Sequence, residues 1–144
     1  MGYMKHYIAK NTARTFILRM ERGDMLKEEI GKLCMDEHIR DAVILSGIAT
    51  FDHVNIQMTN SIEYPIGYVV HHLDEPLELA SLDGTIIQGE PHIHGVIGNG
   101  NHSWAGHLLD GCKILYLGEI VIQELLSEGL NRKPDKNGVL LISE

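Results

Sequence analysis

Cysteine is nearly absent from this sequence: two residues in 144, Cys34 and Cys112, far apart and in apolar surroundings. That excludes a disulfide-stapled small fold and predicts buried, reduced thiols. No apolar run approaches a membrane span, and the first residues, MGYMKHYIAKNTAR, lack the apolar stretch of a secretory signal. The expectation is a cytoplasmic protein with no membrane association. Positive charge is also short. Lys and Arg total 12 against 20 Asp and Glu, a formal net charge of −8. A nucleic-acid surface needs clustered cations to displace counterions, and the densest basic spot, Asn131-Arg132-Lys133-Pro134-Asp135-Lys136, is short and interrupted. Direct nucleic-acid binding is therefore not expected without a partner. Repeats, low-complexity segments, a P-loop, a GxGxxG motif and a nucleophile elbow are all missing.

What remains is the composition of one globular domain spanning residues 1–144, 44% hydrophobic and 22% charged. One helix is predicted. Leu26, Ile30, Leu33 and Cys34 recur on one helical face, with Asp24 as cap and Glu28 and Glu29 near the start. Everything else reads as strands: Phe16–Met20, Ala42–Leu45 (a run buried on both faces), His53–Thr59, Tyr68–Leu73, Leu77–Leu82, Thr85–Gln88, His92–Ile97, Ser103–Leu108 and Lys113–Leu125, the last bent near Gly118. Val139–Ile142 reads as a final edge strand. Asp83-Gly84 and Asn99-Gly100 are hairpin-turn dipeptides. The fold class is α/β of the α+β type, a mostly antiparallel twisted sheet with one principal helix.

The chemistry concentrates in Pro91-His92-Ile93-His94 and Ala105-Gly106-His107. Residues two apart on a strand share a face, so His92 and His94 point the same way. A two-residue turn at Asn99-Gly100 pairs Gly98 with Asn101, Ile97 with His102 and His92 with His107, leaving His94 diagonal to His107. Three imidazoles then share one patch. A four-residue loop, Gly98 to Asn101, keeps this register, whereas a three-residue loop would turn His107 to the other face. Three neutral imidazoles suit a divalent metal, zinc above all, and leave a coordination position open for water or substrate. The alternative is three polar residues on the wet face of a hairpin. Metal and protons compete for such a site, which predicts loss of affinity below roughly pH 6.

The ordered set Leu18-Arg19-Met20 with Gly23-Asp24, Ala42 to Ile48, Glu78 to Gly84, Gly89-Glu90-Pro91-His92-Ile93-His94, Ala105-Gly106-His107 and Gly118-Glu119-Ile120 resembles the plants-and-prokaryotes conserved (PPC) domain family, of the prokaryotic single-domain type. The resemblance covers nearly the whole chain. It implies the α/β fold just described, assembly as a homotrimer, and metal held by the histidine triplet. Plant relatives add an Arg-Gly-Arg-Pro segment that enters the DNA minor groove, and no such segment occurs here. Ala105 stands where the family commonly has a glycine. Cupins share the His-x-His strand but add a Glu a few residues on, where Gly98 and Asn99 fall here.

The resulting expectation is a trimeric protein binding zinc or another divalent metal through His92, His94 and His107, with a small-molecule ligand or hydrolytic chemistry at the open position. The other reading is a non-enzymatic regulatory or DNA-associated module acting through its trimer surface. Glu119 is a candidate general base or orienting partner, against a plain solvent-facing residue. His71 and His72 are adjacent, face opposite ways and cannot both join a site. His102 faces away from the triplet. Arg19 reads as an ion-pair partner, and Trp104 as core or interface.

Overall fold

The computed structural model describes residues 5, 7–9 and 11–144. Its elements in chain order are β1 (Asn11–Met20), α1 (Leu26–Asp36), β2 (Asp41–Thr59), β3 (Tyr68–Leu73), β4 (Leu77–Ile87), β5 (Glu90–Gly98), β6 (Ser103–Leu108), β7 (Lys113–Leu126), β8 (Asn131–Pro134) and β9 (Leu140–Ser143). The first seven strands form one antiparallel sheet in the order β1-β7-β2-β4-β5-β6, and β8 with β9 forms a separate two-stranded sheet. The mostly antiparallel architecture with one helix is the expected one.

β2 organises the sheet. Its first half lies between β7 and β4; its second half pairs β3 on one side and touches β6 at Ile56 and Gln57 on the other. The path β2-β4-β5-β6 therefore closes back on β2. Two expected strands, Ala42–Leu45 and His53–Thr59, are parts of this one strand. A bulge between Ile44 and Ser46 absorbs Leu45, which is exposed rather than buried on both faces. Pairing with β7 is interrupted again between Gly118 and Ile114, where the bend near Gly118 was expected. There the buried Thr50 hydroxyl oxygen accepts from the amides of Tyr116 and Leu117.

α1 buries Leu26, Ile30 and Cys34, the expected stripe. Asp24 does not cap it. Its carboxylate accepts from the Glu21 amide at 2.7 Å, and Met25 holds the cap position while the Leu26 amide donates to Cys112 O. Sheet pairing thus satisfies a donor that a side chain was expected to take. The core is aliphatic, with Phe51 the largest fully buried side chain among Ile56, Ile86, Ile93, Leu108, Ile120 and Ile122. Cys34 and Cys112 are free and buried, and burial pushes both thiols up to about 11.

The Asp83-Gly84 dipeptide is not a turn. β4 runs straight through it, with Asp83 opposite His94 and Gly84 opposite Ile93. Gly84 is required by close approach: a Cβ there would sit 2.2 Å from His92 O. The chain reverses instead at Gln88-Gly89, both with positive φ (55° and 76°), the geometry of a primed two-residue turn. The buried Asp41 carboxylate anchors this turn by accepting from the Gln88 amide and from Ser127 Oγ.

Candidate metal centre

β5 alternates strictly. Pro91, Ile93, Gly95 and Ile97 are buried in the core, so His92 and His94 must project from the opposite face. β6 follows through a four-residue loop, Asn99 to His102, closed by the Asn99 amide donating to His102 O at 2.9 Å. The Asn99 side-chain oxygen accepts from the amides of Asn101 and His102, which holds the loop from inside. The pairing is Gly98 with Ser103, Ile97 with Trp104 and His94 with His107. His107 is thus opposite His94, not His92 as the two-residue turn required; His92 is the diagonal neighbour. The slip is two residues, so parity survives and all three rings still share one face.

The rings of His92, His94 and His107 form a triangle with centroid separations of 4.8 to 5.3 Å. Each offers one nitrogen to a group whose members all lie within 4.8 Å of one another. Nε2 of His92 and Nε2 of His94 are 3.3 Å apart. Two ligands about 2.0–2.1 Å from one zinc ion at a tetrahedral angle would be separated by about that distance. Burial, then the neighbouring rings of His92 and His94, then Lys27, push His107 down to about 4. His92 is lowered chiefly by burial, with Arg132, His94 and Lys27 adding to it. Neutral rings are the form that ligates. His107 Nδ1 is buried with no hydrogen-bond partner, an orphaned polar atom of the kind folded proteins rarely keep idle. The residues therefore fit a divalent ion.

The triplet opens into a groove of about 760 Å³ walled by Gln57 of β2, Tyr68 of β3 and Leu140 of β9. None of these three was marked by the sequence. Gln57 is the partner of His107 across the β2–β6 contact, a pairing between distant segments that has no local signal. The neighbouring glycine explains the tolerance of Ala105. A Cβ on Gly106 would lie 2.5 Å from Gln57 O, so that position excludes a side chain. Ala105 is exposed and meets no such obstacle.

The other candidates lie elsewhere. Glu119 is exposed on β7, opposite Arg19 and Ile48, and outside the histidine group. Arg19 is ion-paired with Glu21. His102 sits in the β5–β6 loop with its ring 5.9 Å from that of Trp104, which packs half-buried against the core. His71 is opposite Ile56, and neither it nor His72 joins the triplet. His72 belongs to a second cluster. Its Nδ1 is 2.7 Å from Asn55 Oδ1, which is also 3.0 Å from His53 Nε2. His53 Nδ1 lies 2.5 Å from Asp74 Oδ1, and Asn55 Nδ2 donates to Asp110 O.

Comparison with known proteins converges on one family. The model of the Plants and Prokaryotes Conserved (PCC, also written PPC) domain matches residues 7–126. A metal-containing protein from Archaeoglobus fulgidus is 27% identical and superposes with a TM-score of 0.85, over 98% of this chain and 100% of that one. A PPC protein from Pyrococcus horikoshii is 31% identical with a TM-score of 0.79, over 99% of this chain and 98% of that one. Bifunctional protein GlmU from Synechococcus sp. (strain JA-3-3Ab) is 27% identical over 123 residues, 85% of this chain. The chain spans 19% of the length of that relative and 18% of the length of its counterpart from a second Synechococcus strain. With the family model covering most of its length, this chain belongs to the Plants and Prokaryotes Conserved domain family.

Proposed function

We propose that this chain binds one divalent ion, zinc in preference, through His92, His94 and His107, acts as a homotrimer, and receives a small ligand in the groove beside the metal. The observation that carries the reading is the convergence of three imidazoles, each with one nitrogen within 4.8 Å of the others. Bound there, zinc would supply a Lewis acid with a coordination position left over, because the protein provides three ligands. The chain's own contribution is to favour the neutral form of His92 and His107 by burial and to fix all three rings on two paired strands. The Archaeoglobus fulgidus relative, described as metal-containing, supports the same reading.

Trimer assembly draws support from exposed aliphatic side chains on one sheet face, beside the Arg19 and Glu119 pair. Ile17 (78% exposed) and Ile48 (48% exposed) lie on the outer face of the β1-β7-β2 region, with the bulged Leu45 exposed close by. Burying such a face is favourable, and strands with one wet apolar side are usually covered. Metal analysis of protein purified without chelators tests the first part: one ion per chain is expected, and a metal-free protein that does not take up zinc refutes it. Light scattering tests the second, with about three times the 16.1 kDa chain mass expected.

The DNA-associated reading has less to stand on. Within the basic spot, Arg132 donates to Thr85 and is partly buried, which leaves Lys133 and Lys136 exposed on the short β8 hairpin. No retention of duplex DNA at physiological salt with competitor is expected.

A further inference from the structure

The β8–β9 hairpin lies beyond residues 7–126, where the family model matches, yet its residues Gly138, Val139 and Leu140 form one wall of the histidine groove. It also delivers a cation. Arg132 Nη2 donates to Thr85 Oγ1 at 2.9 Å, and Thr85 is the direct partner of His92 on the adjoining strand. Directly paired residues share a face, so the guanidinium is held at the edge of the imidazole cluster. Its Nε is buried with no hydrogen-bond partner, and among the described residues no carboxylate pairs with it. The other cation acting on the cluster, Lys27, is already 3.0 Å from Asp110. Asp83, opposite His94, is exposed and accepts from Ser81 Oγ.

Charge then decides what the groove will take. Three imidazoles are neutral ligands, so the ligand set itself leaves the charge of a bound dication uncompensated, and the nearest carboxylate on that face, Asp83, is exposed and screened by solvent. Arg132 adds one more positive charge beside the ion. A guanidinium whose Nε has no partner can turn it to an oxygen of a carboxylate or a phosphate, and binds such groups better than a point charge does. We infer that the groove receives a small ligand bearing an anionic oxygen group, carboxylate or phosphate, and that Arg132 is the residue that selects it. This rests on the metal reading above.

The test uses the full chain loaded with Co²⁺, whose visible absorption reports on ligands entering the open position. Inorganic phosphate, acetate and neutral imidazole are titrated separately. Both anions should perturb the spectrum. Arg132→Gln should weaken anion binding by at least about tenfold, with Co²⁺ binding and the imidazole titration unchanged. Lys136→Gln, an equal charge change on an exposed residue, should leave all three titrations as they were. Should Arg132→Gln fail to fold, Arg132→Lys decides: keeping charge but losing the fork, it should weaken anion binding by about threefold or more. The anion with the greater Arg132 dependence identifies the headgroup. Anion binding that is indifferent to these substitutions, or imidazole binding weakened equally, overturns the inference while leaving the metal site standing. Failure of the unaltered chain to bind Co²⁺ removes the metal reading and the inference together.

Discussion

Two groups of histidines sit on this sheet, and they are built on opposite terms. Around Asn55, every facing ring nitrogen has a partner: His53 lies between Asp74 and Asn55, and His72 rests on the same amide oxygen. Around His107 the rings face one another, and a buried nitrogen is left without a partner. The first arrangement uses histidine as a hydrogen-bonding spacer between strand ends. The second leaves one polar atom, His107 Nδ1, unsatisfied in the folded protein, which costs stability unless something arrives to take it up. Proximity of histidines is common to both. Incomplete satisfaction is what separates a candidate site from a polar surface.

The sharpest way to break that contrast is to truncate each group. His92→Ala, His94→Ala and His107→Ala should each abolish stoichiometric metal binding, since two neutral ligands hold an ion poorly. His53→Ala and His72→Ala should leave metal content at the level of the unaltered chain. Elemental analysis after dialysis reads both. Equal loss in the two groups would erase the distinction.

A second effect is expected at the strand contact that carries His107. Gly106→Ala places a Cβ against the Gln57 carbonyl, so β6 must move away from β2. A destabilisation of about 1–3 kcal/mol should follow in denaturant unfolding, together with weakened metal binding. Ala105→Gly, one residue away and exposed, should do far less.

Acid provides a third. In the metal-free folded protein His107 resists protonation until about pH 4, whereas in the unfolded chain it takes a proton near 6.5. The unfolded state therefore binds more protons between these values, and stability must fall as pH falls through that window. It is fully present above about 6.5, and the loss is complete below about 4. The melting temperature of the metal-free protein should drop across that range, and the dependence should flatten in His107→Gln. Metal release by acid should likewise begin lower than the pH near 6 expected of ordinary imidazoles, because this ligand holds its lone pair longer.

The smallest effect should come from the satisfied group. His72→Ala removes one exposed hydrogen bond to Asn55 and should cost less than about 1 kcal/mol, with no change in metal content. A large loss would mean that this network also serves the site.

The sequence carried the triplet because parity on a strand is robust. His92 and His94 share a face whatever the register, and His107 keeps that face under any even slip. The register itself was misread, because Asn99-Gly100 looks like a complete two-residue turn. In the structure Asn99 instead caps a longer loop with its side chain. Asp83-Gly84 misled for the opposite reason: its glycine answers a close approach by His92 O, while the working turn uses Gln88, a residue with no turn signature. The helix stripe was legible and its cap was not, since the amide of Leu26 is satisfied by the Cys112 carbonyl just ahead of β7, distant in sequence and adjacent in space. The groove walls depend on β2 meeting β6 and on where the terminal hairpin docks. Neither leaves a periodic mark in the chain.

The closure of β2 onto β6 has a kinetic consequence. Apart from its hairpin with β3, the pairings of β2 join segments distant along the chain, so folding closes long loops before contacts reward it, and such topologies fold slowly. The three histidines, by contrast, all lie on the local β5–β6 hairpin, so their triangle forms with that hairpin, and the Gln57–His107 contact follows when the hairpin docks on β2. An ion bound there ties β5 to β6 and stabilises the folded state by an amount that grows with the logarithm of its concentration. The loaded protein should therefore outlast the empty one in protease, because the ion opposes opening of the hairpin that docks on β2.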